Sequence, residues 1–237
     1  APLRRAAAEL ARRLDAAVRA QLMSDVPLGA FLSGGVDSSA VVACAARATA
    51  EAGTGPLATF TIGFEGNDDE RPAAAALAAR LGLASHAEAG SLDYVAAARE
   101  QAQIFGEPFG DHSAVPTLAV CRLARRHVTV ALSGDGGDEV FAGYRRYRFH
   151  KLAEAVRTMF PAPVRRRVIG GLAAAYPKLD RAPRWLRAKS TLTEISLDAA
   201  LGYYRTVCKL HDDRRHGLYA APMRASVAGH APSARIA

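Results

Sequence analysis

Leu28-Gly29-Ala30-Phe31-Leu32-Ser33-Gly34-Gly35-Val36-Asp37-Ser38-Ser39 is the stretch on which the fold turns. Its apolar run stops abruptly at Ser-Gly-Gly, so Leu28–Leu32 predicts a short buried strand. From Ser38 the apolar spacing becomes helical and holds to about Glu51, where Gly53-Thr54-Gly55-Pro56 breaks it. Consecutive glycines at such a strand-to-helix junction let the backbone approach an anion. The N–H groups at the helix start add donors and the positive end of a dipole. With the hydroxyls of Ser33, Ser38 and Ser39 the junction reads as a phosphate cradle. It lacks the lysine of G-x-x-x-x-G-K-[ST], so nothing here supports a kinase or GTPase. Asp37 would repel a phosphate unless a cation stood between them, as a magnesium ion does. The alternative for Asp37 is a loop aspartate capping the helix.

Working outward, Leu3–Met23 carries an amphipathic helical spacing that ends before Ser24-Asp25-Val26-Pro27. Downstream the pattern predicts a strand over Leu57–Gly63, a helix over about Arg71–Leu81 and a short strand near Ser85–Glu88. A helix over about Leu92–Phe105, an irregular stretch Glu107–Pro116 and a helix to Arg126 follow. Val128–Leu132 then predicts a β-branched strand of the buried kind. Strands alternating with helices give an α/β fold: a doubly wound parallel sheet covered on both faces, with right-handed crossovers. Ligands of such sheets bind beyond the carboxyl ends of the strands. Residues 1–150 are therefore expected to form the core domain. Beyond Phe141 the texture changes to Tyr144-Arg145-Arg146-Tyr147-Arg148 and then to helical segments punctuated by Pro161, Pro163, Pro177 and Pro183. This predicts a helical C-terminal extension over 151–220 and an irregular tail over 221–237. Tyr144–Arg148 reads either as a grip for an anionic acceptor or as a basic helix face with aromatic packing.

A second loop, Ser133-Gly134-Asp135-Gly136-Gly137-Asp138-Glu139, follows the Val128–Leu132 strand. Three acids and three glycines in so short a run are costly as bare structure, because like charges repel and ordered glycine is entropically unfavourable. A metal shared with Asp37 would remove the repulsion. An acidic solvated turn is the alternative.

The 237 residues carry 31 Lys and Arg against 23 Asp and Glu, a net charge of +8. That suits an anionic ligand, but the arginines are dispersed with few aromatics among them, which argues for solvated helix faces and against nucleic acid. No apolar run approaches a membrane span and no secretory leader is legible, so no membrane and a cytoplasmic location are expected. Cys44, Cys121 and Cys208 have no C-x-x-C spacing. Cys44 and Cys121 sit in apolar helical stretches as expected small core residues.

The pair S-G-G-V-D-S-S and S-G-D-G-G-D-E-V-F-A-G-Y resembles the synthetase domain of the asparagine synthase family, whose fold is that of the PP-loop ATP pyrophosphatases. The likeness runs from about Met23 to His150, and includes Thr59–Phe64 and Glu107–Asp111. It implies ATP and Mg2+ as ligands. It implies that Ser33, Gly35, Asp37 and Ser38, within the loop that also holds Gly34 and Ser39, bind pyrophosphate. Phe31, Ile62, Ser133 and Gly134 fall where the family meets adenosine, and Asp37 and Asp138 where it holds magnesium. Asp135 occupies the substrate position at which asparagine synthetases proper carry glutamate, and Tyr144 matches a tyrosine near the reacting carboxylate. The implied reaction is amidation of a carboxylate through its acyl-adenylate, with release of AMP and pyrophosphate.

Implied partners are a small-molecule or glycan carboxylate, ammonia from a glutaminase domain absent from this chain, and a second copy in a homodimer. The S-G-D-G-G-D-E form resembles branches that modify polysaccharides, peptides or secondary metabolites. A tRNA-modifying PP-loop enzyme and a noncatalytic nucleotide-binding module are the competing readings. The pyrophosphate-binding lysine of complete family members has no counterpart here, Lys189-Ser190-Thr191 being only a local echo.

Overall fold

The computed structural model describes residues 2–64, 69–90, 93–107, 109–111, 113–177, 183 and 188–235. The chain divides into two compact units, Ala1–Asp138 and Glu139–Ala237. The division falls ahead of the boundary expected near 150, between Asp138 and Glu139 of the second acidic loop.

In the first unit α1 (Pro2–Gln21) leads to β1 (Leu28–Phe31), α2 (Val36–Ala52), β2 (Ala58–Gly63), α3 (Arg71–Leu81) and β3 (Ala84–Ala89). Then come α4 (Tyr94–Phe105), α5 (Ala114–Arg125), β4 (Val130–Leu132) and the short α6 (Gly137–Phe141), which runs across the division. The sheet is wholly parallel, in the order β3-β2-β1-β4. Registers such as Ala30↔Thr59 and Ala30↔Leu132 put β1 between β2 and β4. The chain winds from β1 to one side through β2 and β3, then crosses to the other side for β4. The strand order therefore reverses at β1, and the carboxyl end of β1 is the switch-point crevice.

Both sheet faces are covered, as a parallel sheet requires. On one face Val18 of α1, Val42 and Ala45 of α2, and Ala74 and Ala78 of α3 pack with Ala30 and Leu32. On the other, Leu123 and Ala124 of α5 pack with Phe60 and Val128. Phe60 is wholly buried. Two buried threonines of β2 have their hydroxyls satisfied by carbonyls next door: Thr59 donates to Ala84 and Thr61, at 2.7 Å, to Leu32. The Thr61 bond fixes the exit of β1 just where the glycine loop begins.

Two expectations change. β4 is shorter than Val128–Leu132 and lies at the sheet margin with Val130 exposed, because only one neighbouring strand covers it. Cys44 is partly buried against the first core cluster, whereas Cys121 is exposed. The acidic loop keeps a turn at Asp135-Gly136 and passes into α6 from Gly137.

The second unit is helical. It comprises α7 (Arg145–Met159), α8 (Ala162–Val164), a π-helical turn Arg165–Ile169 and α9 (Gly170–Ala175). These are followed by α10 (Lys189–Ser196), α11 (Ala199–Val207), α12 (Asp212–Leu218) and α13 (Ala221–Ser226). The segment expected as an irregular tail holds α13, with proline in its first turn, and a 3-10 turn Pro232–Arg235. Lys189 donates to the carbonyl of Tyr176 at 2.7 Å, tying the start of α10 to the chain just after α9. Among the described residues no helix is long and apolar enough to cross a membrane.

Candidate nucleotide site

The crevice at the carboxyl end of β1 holds a cavity of about 350 Å3. That is at the small end of the roughly 300–1,000 Å3 typical of ligand pockets. Its walls come from the ends of β1 and β2, the first turn of α2, the loop after β4 and one side of α5.

The first loop is locked from within. The hydroxyls of Ser33 and Ser38 lie 2.9 Å apart, the Gly35 N–H donates to the Ser33 hydroxyl, and the Ser38 hydroxyl donates to the Gly35 carbonyl. The two serines expected as phosphate donors thus also shape the loop. Gly34 has φ +75°, a left-handed conformation that glycine adopts freely, and a Cβ there would stand 2.8 Å from that of Ala73. It supports the turn from behind and does not line the cavity. α2 begins with Gly35 as an N-cap that offers no side-chain acceptor, and its first backbone bond runs from Ser39 N–H to Gly35 C=O. The N–H groups of Val36, Asp37 and Ser38 are those a helix cannot satisfy internally. They open where Ser33, Gly35, Val36, Asp37 and Ser38 line the cavity. Ser39 stands half-buried one position further and is not part of the lining.

The second loop lies directly on this helix start. A Cβ on Gly134 would come within 2.6 Å of the Ser38 nitrogen, so only glycine allows the approach. Gly137 meets the Asp37 carboxylate, a Cβ there falling 2.6–2.8 Å from its Cγ and both oxygens. Ser133, Gly134 and Asp135 line the cavity, and the Asp135 N–H is held by the Ser133 hydroxyl at 3.2 Å. Asp138 follows Gly137, half-buried, outside the lining. Phe31 and Ile62, at the ends of β1 and β2, supply an apolar wall. Of the residues expected from sequence, nine therefore converge on one cavity. Tyr144 belongs to the second unit, where its hydroxyl donates to Glu139 at 2.6 Å and holds that carboxyl below the usual range. His112 and Pro108 lie outside the described residues.

The structure adds Glu70, which immediately precedes α3, and Thr117 and Val120 on α5. Sequence reasoning passed over them; the start of α3, opposite the glycine loop, was the signal available for Glu70. Asp37, Glu70 and Asp135 face the cavity, and no Lys or Arg is among its described lining residues. A polyanion would be repelled from such walls without a divalent cation, and magnesium suits one or two carboxylates completed by phosphate oxygens. The open helix start, the glycine-permitted approach of the two loops and the carboxylates all fit Mg·ATP.

The sequence profile of the Asparagine synthase family matches residues 9–231. The chain belongs to the asparagine synthase family. Within it, the chain is 46% identical over 129 residues to the putative asparagine synthetase [glutamine-hydrolyzing] 2 of Methanocaldococcus jannaschii, covering 54% of this chain and 24% of that protein. It is 35% identical over 243 residues to the putative asparagine synthetase [glutamine-hydrolyzing] of Mycobacterium tuberculosis, covering 96% of this chain and 35% of that protein. Asparagine synthetase [glutamine-hydrolyzing] 1 of Bacillus subtilis is 40% identical over 133 residues, covering 55% of this chain and 20% of that protein. The chain thus spans no more than about a third of the length of these asparagine synthase relatives.

Proposed function

We propose that this chain is the ATP-using part of a glutamine-dependent amidotransferase of the asparagine synthase type, activating a carboxylate as its acyl-adenylate for attack by ammonia. The observation that carries this reading is the meeting of the uncapped start of α2 with Asp37 and Asp135 in one cavity, where Gly137 lets the second loop close on the Asp37 carboxylate. In the reaction a substrate carboxylate oxygen attacks the α-phosphorus of ATP, the bond to the β-phosphate breaks, and pyrophosphate leaves. Ammonia then adds to the acyl carbon, AMP departs, and an amide remains.

The N–H groups of Val36, Asp37 and Ser38 hold the pyrophosphate oxygens, where fixed dipoles stabilise charge as it develops. Asp37 and Asp138 would hold the metal. A bound magnesium ion supplies neutralisation of the leaving group. Phe31 and Ile62 pack the base of the nucleotide, with Ser133 and Gly134 beside it. Asp135, one methylene shorter than the glutamate of asparagine synthetases proper, faces the acceptor and favours a carboxylate other than aspartate. Polysaccharide, peptide or secondary-metabolite acceptors are consistent with that shortening. The ammonia would come from a glutaminase domain elsewhere in the natural protein, and the location expected for it is cytoplasmic.

The test is product analysis on the full natural chain with ATP, Mg2+, ammonium and a panel of amino-acid and sugar carboxylates. AMP with pyrophosphate, dependent on one carboxylate, is the expected outcome; ADP with phosphate would overturn the mechanism. Asp37→Ala is expected to abolish Mg-dependent ATP binding while leaving the circular dichroism spectrum unchanged. Undiminished Mg-dependent binding in that variant would remove Asp37 from the metal site.

A further inference from the structure

A second cavity, of about 300 Å3, lies between α4 and α5 and is almost wholly apolar. Ala114, Thr117, Leu118 and Cys121 present one face of α5 to it, at the i, i+3, i+4, i+7 spacing of a single helical stripe. Gln101, Ile104 and Phe105 present the matching stripe of α4. Two stripes of this kind ordinarily close on each other; here they stand apart. Phe105 and Phe109, stacked at 4.1 Å between ring centroids, line the cavity while remaining about half exposed. An aromatic pair at the edge of an apolar hollow is what a ligand's flat or branched body would cover.

Gln101 supplies the specific feature. The residue is 7% exposed, it lines the cavity, and its Nε2 is shut off from solvent without a hydrogen-bond partner. A buried amide donor left unmatched is unfavourable, and native proteins rarely keep one without a use. The cavity also shares a wall with the nucleotide site. Thr117 lines both, its hydroxyl proton already given to the Ser113 carbonyl.

We propose that the α4–α5 cavity binds the apolar body of the acceptor substrate, an aromatic or branched aliphatic carboxylate carrying one carbonyl that accepts from Gln101 Nε2 once that side chain turns its amide into the cavity. Its carboxylate lies on the Thr117 side, toward the nucleotide. The inference rests on the adenylating reading above for the word acceptor, but not for the existence of the site. It also gives the shortened Asp135 a context, because a substrate anchored by an apolar body needs no second carboxylate of the aspartate kind.

The experiment compares two probes on the full natural chain by saturation-transfer NMR and titration calorimetry: N-acetyl-L-phenylalanine, and 3-phenylpropanoate, which lacks the amide carbonyl. Gln101→Leu is expected to weaken the first about ten-fold, to leave the second unchanged, and to raise the denaturation midpoint of the free protein. Leu118→Trp, which fills the cavity, is expected to abolish binding of both while ATP-analogue binding persists. Failure of both probes to bind the unaltered protein overturns the proposal, whether the cavity is covered by other parts of the chain or simply unused. So does binding of N-acetyl-L-phenylalanine that neither variant changes. Gln101-dependent binding with no adenylation of any carboxylate would keep the site and sink the functional reading. Adenylation of aspartate, with aromatic carboxylates neither bound nor turned over, would do the reverse.

Discussion

In the first unit the side chains shut away from water include Ala30, Leu32, Val42, Phe60 and Leu123; in the second they are Arg157, Arg165, Glu194 and Ser196, with Ala153 and Ala173 as the buried apolar residues described. Several larger apolar side chains of the second unit, among them Phe149, Leu152, Val168 and Leu172, stay exposed, while Ile169, Leu192, Ile195, Leu197 and Leu201 are half-buried. α10 is tied to α7 by Arg157 and to the π-helical turn by Arg165, both reaching its last carbonyls. Arg157 donates to Glu194 at 2.7 Å and Leu197 at 3.1 Å; Arg165 donates to Ile195 at 3.0 Å and Leu197 at 2.9 Å. Cations at a helix carboxyl end answer both its unpaired carbonyls and its dipole. The sheet unit is thus held by removal of apolar surface from water, whereas the helical unit sets charge-assisted bonds beside a thinner apolar packing. The two should fail differently.

Phe60→Ala should have the largest effect. It removes a fully buried ring from the central face of the sheet and should cost the first unit about 3–5 kcal/mol in denaturant titration. A loss below about 1 kcal/mol would mean that the sheet does not depend on that ring. Arg157→Met should come next, at about 3 kcal/mol, because it keeps the apolar stem but strands buried carbonyls and Glu194. Hydrogen exchange should then show protection lost in α7, α10 and α11 but kept in β1 and β2; uniform loss would erase the contrast between the units.

The smallest effect concerns pH. His86 of β3 stacks on His127 at 3.9 Å and on Phe60 at 5.3 Å. Burial pushes its pKa below the ordinary value of 6.5, helped by His127 and Arg126. A histidine that resists protonation only when folded contributes its full stability above 6.5 and loses it as pH falls toward the depressed folded value. The denaturation midpoint of the first unit should drop between pH 7.5 and 5.5, and His86→Phe should flatten that slope. An unchanged slope would show that His86 does not titrate in this window.

The contrast also marks what could be read from sequence. Strands and helices of the first unit were legible because apolar periodicity records burial, and β1, α2 and α3 lie within a residue or two of their expected bounds. The two glycine-rich loops were legible for the same reason, each following an apolar strand. The exposure of β4 was not, since β-branched residues specify an extended chain but not its rank in the sheet. Nor were Arg157 and Arg165, read among solvated arginines: their acceptors are backbone carbonyls 30 to 40 positions away, which no side-chain pattern records. Arg146, over the Tyr144 ring at 3.6 Å, matches the aromatic packing alternative for that segment. Glu70 and Thr117 enter the site only through the approach of α3 and α5 to the crevice.

The register Leu28↔Val130 carries a consequence for how the site comes into being. β1 pairs with β2 across one intervening helix, but with β4 only after on the order of a hundred residues, and such non-local pairings are slow to form. On the ribosome the glycine loop and α2 would emerge and dock long before the acidic loop exists. The nucleotide cavity is therefore a late product of folding, and ATP added to a refolding chain should speed no step before β4 has joined the sheet.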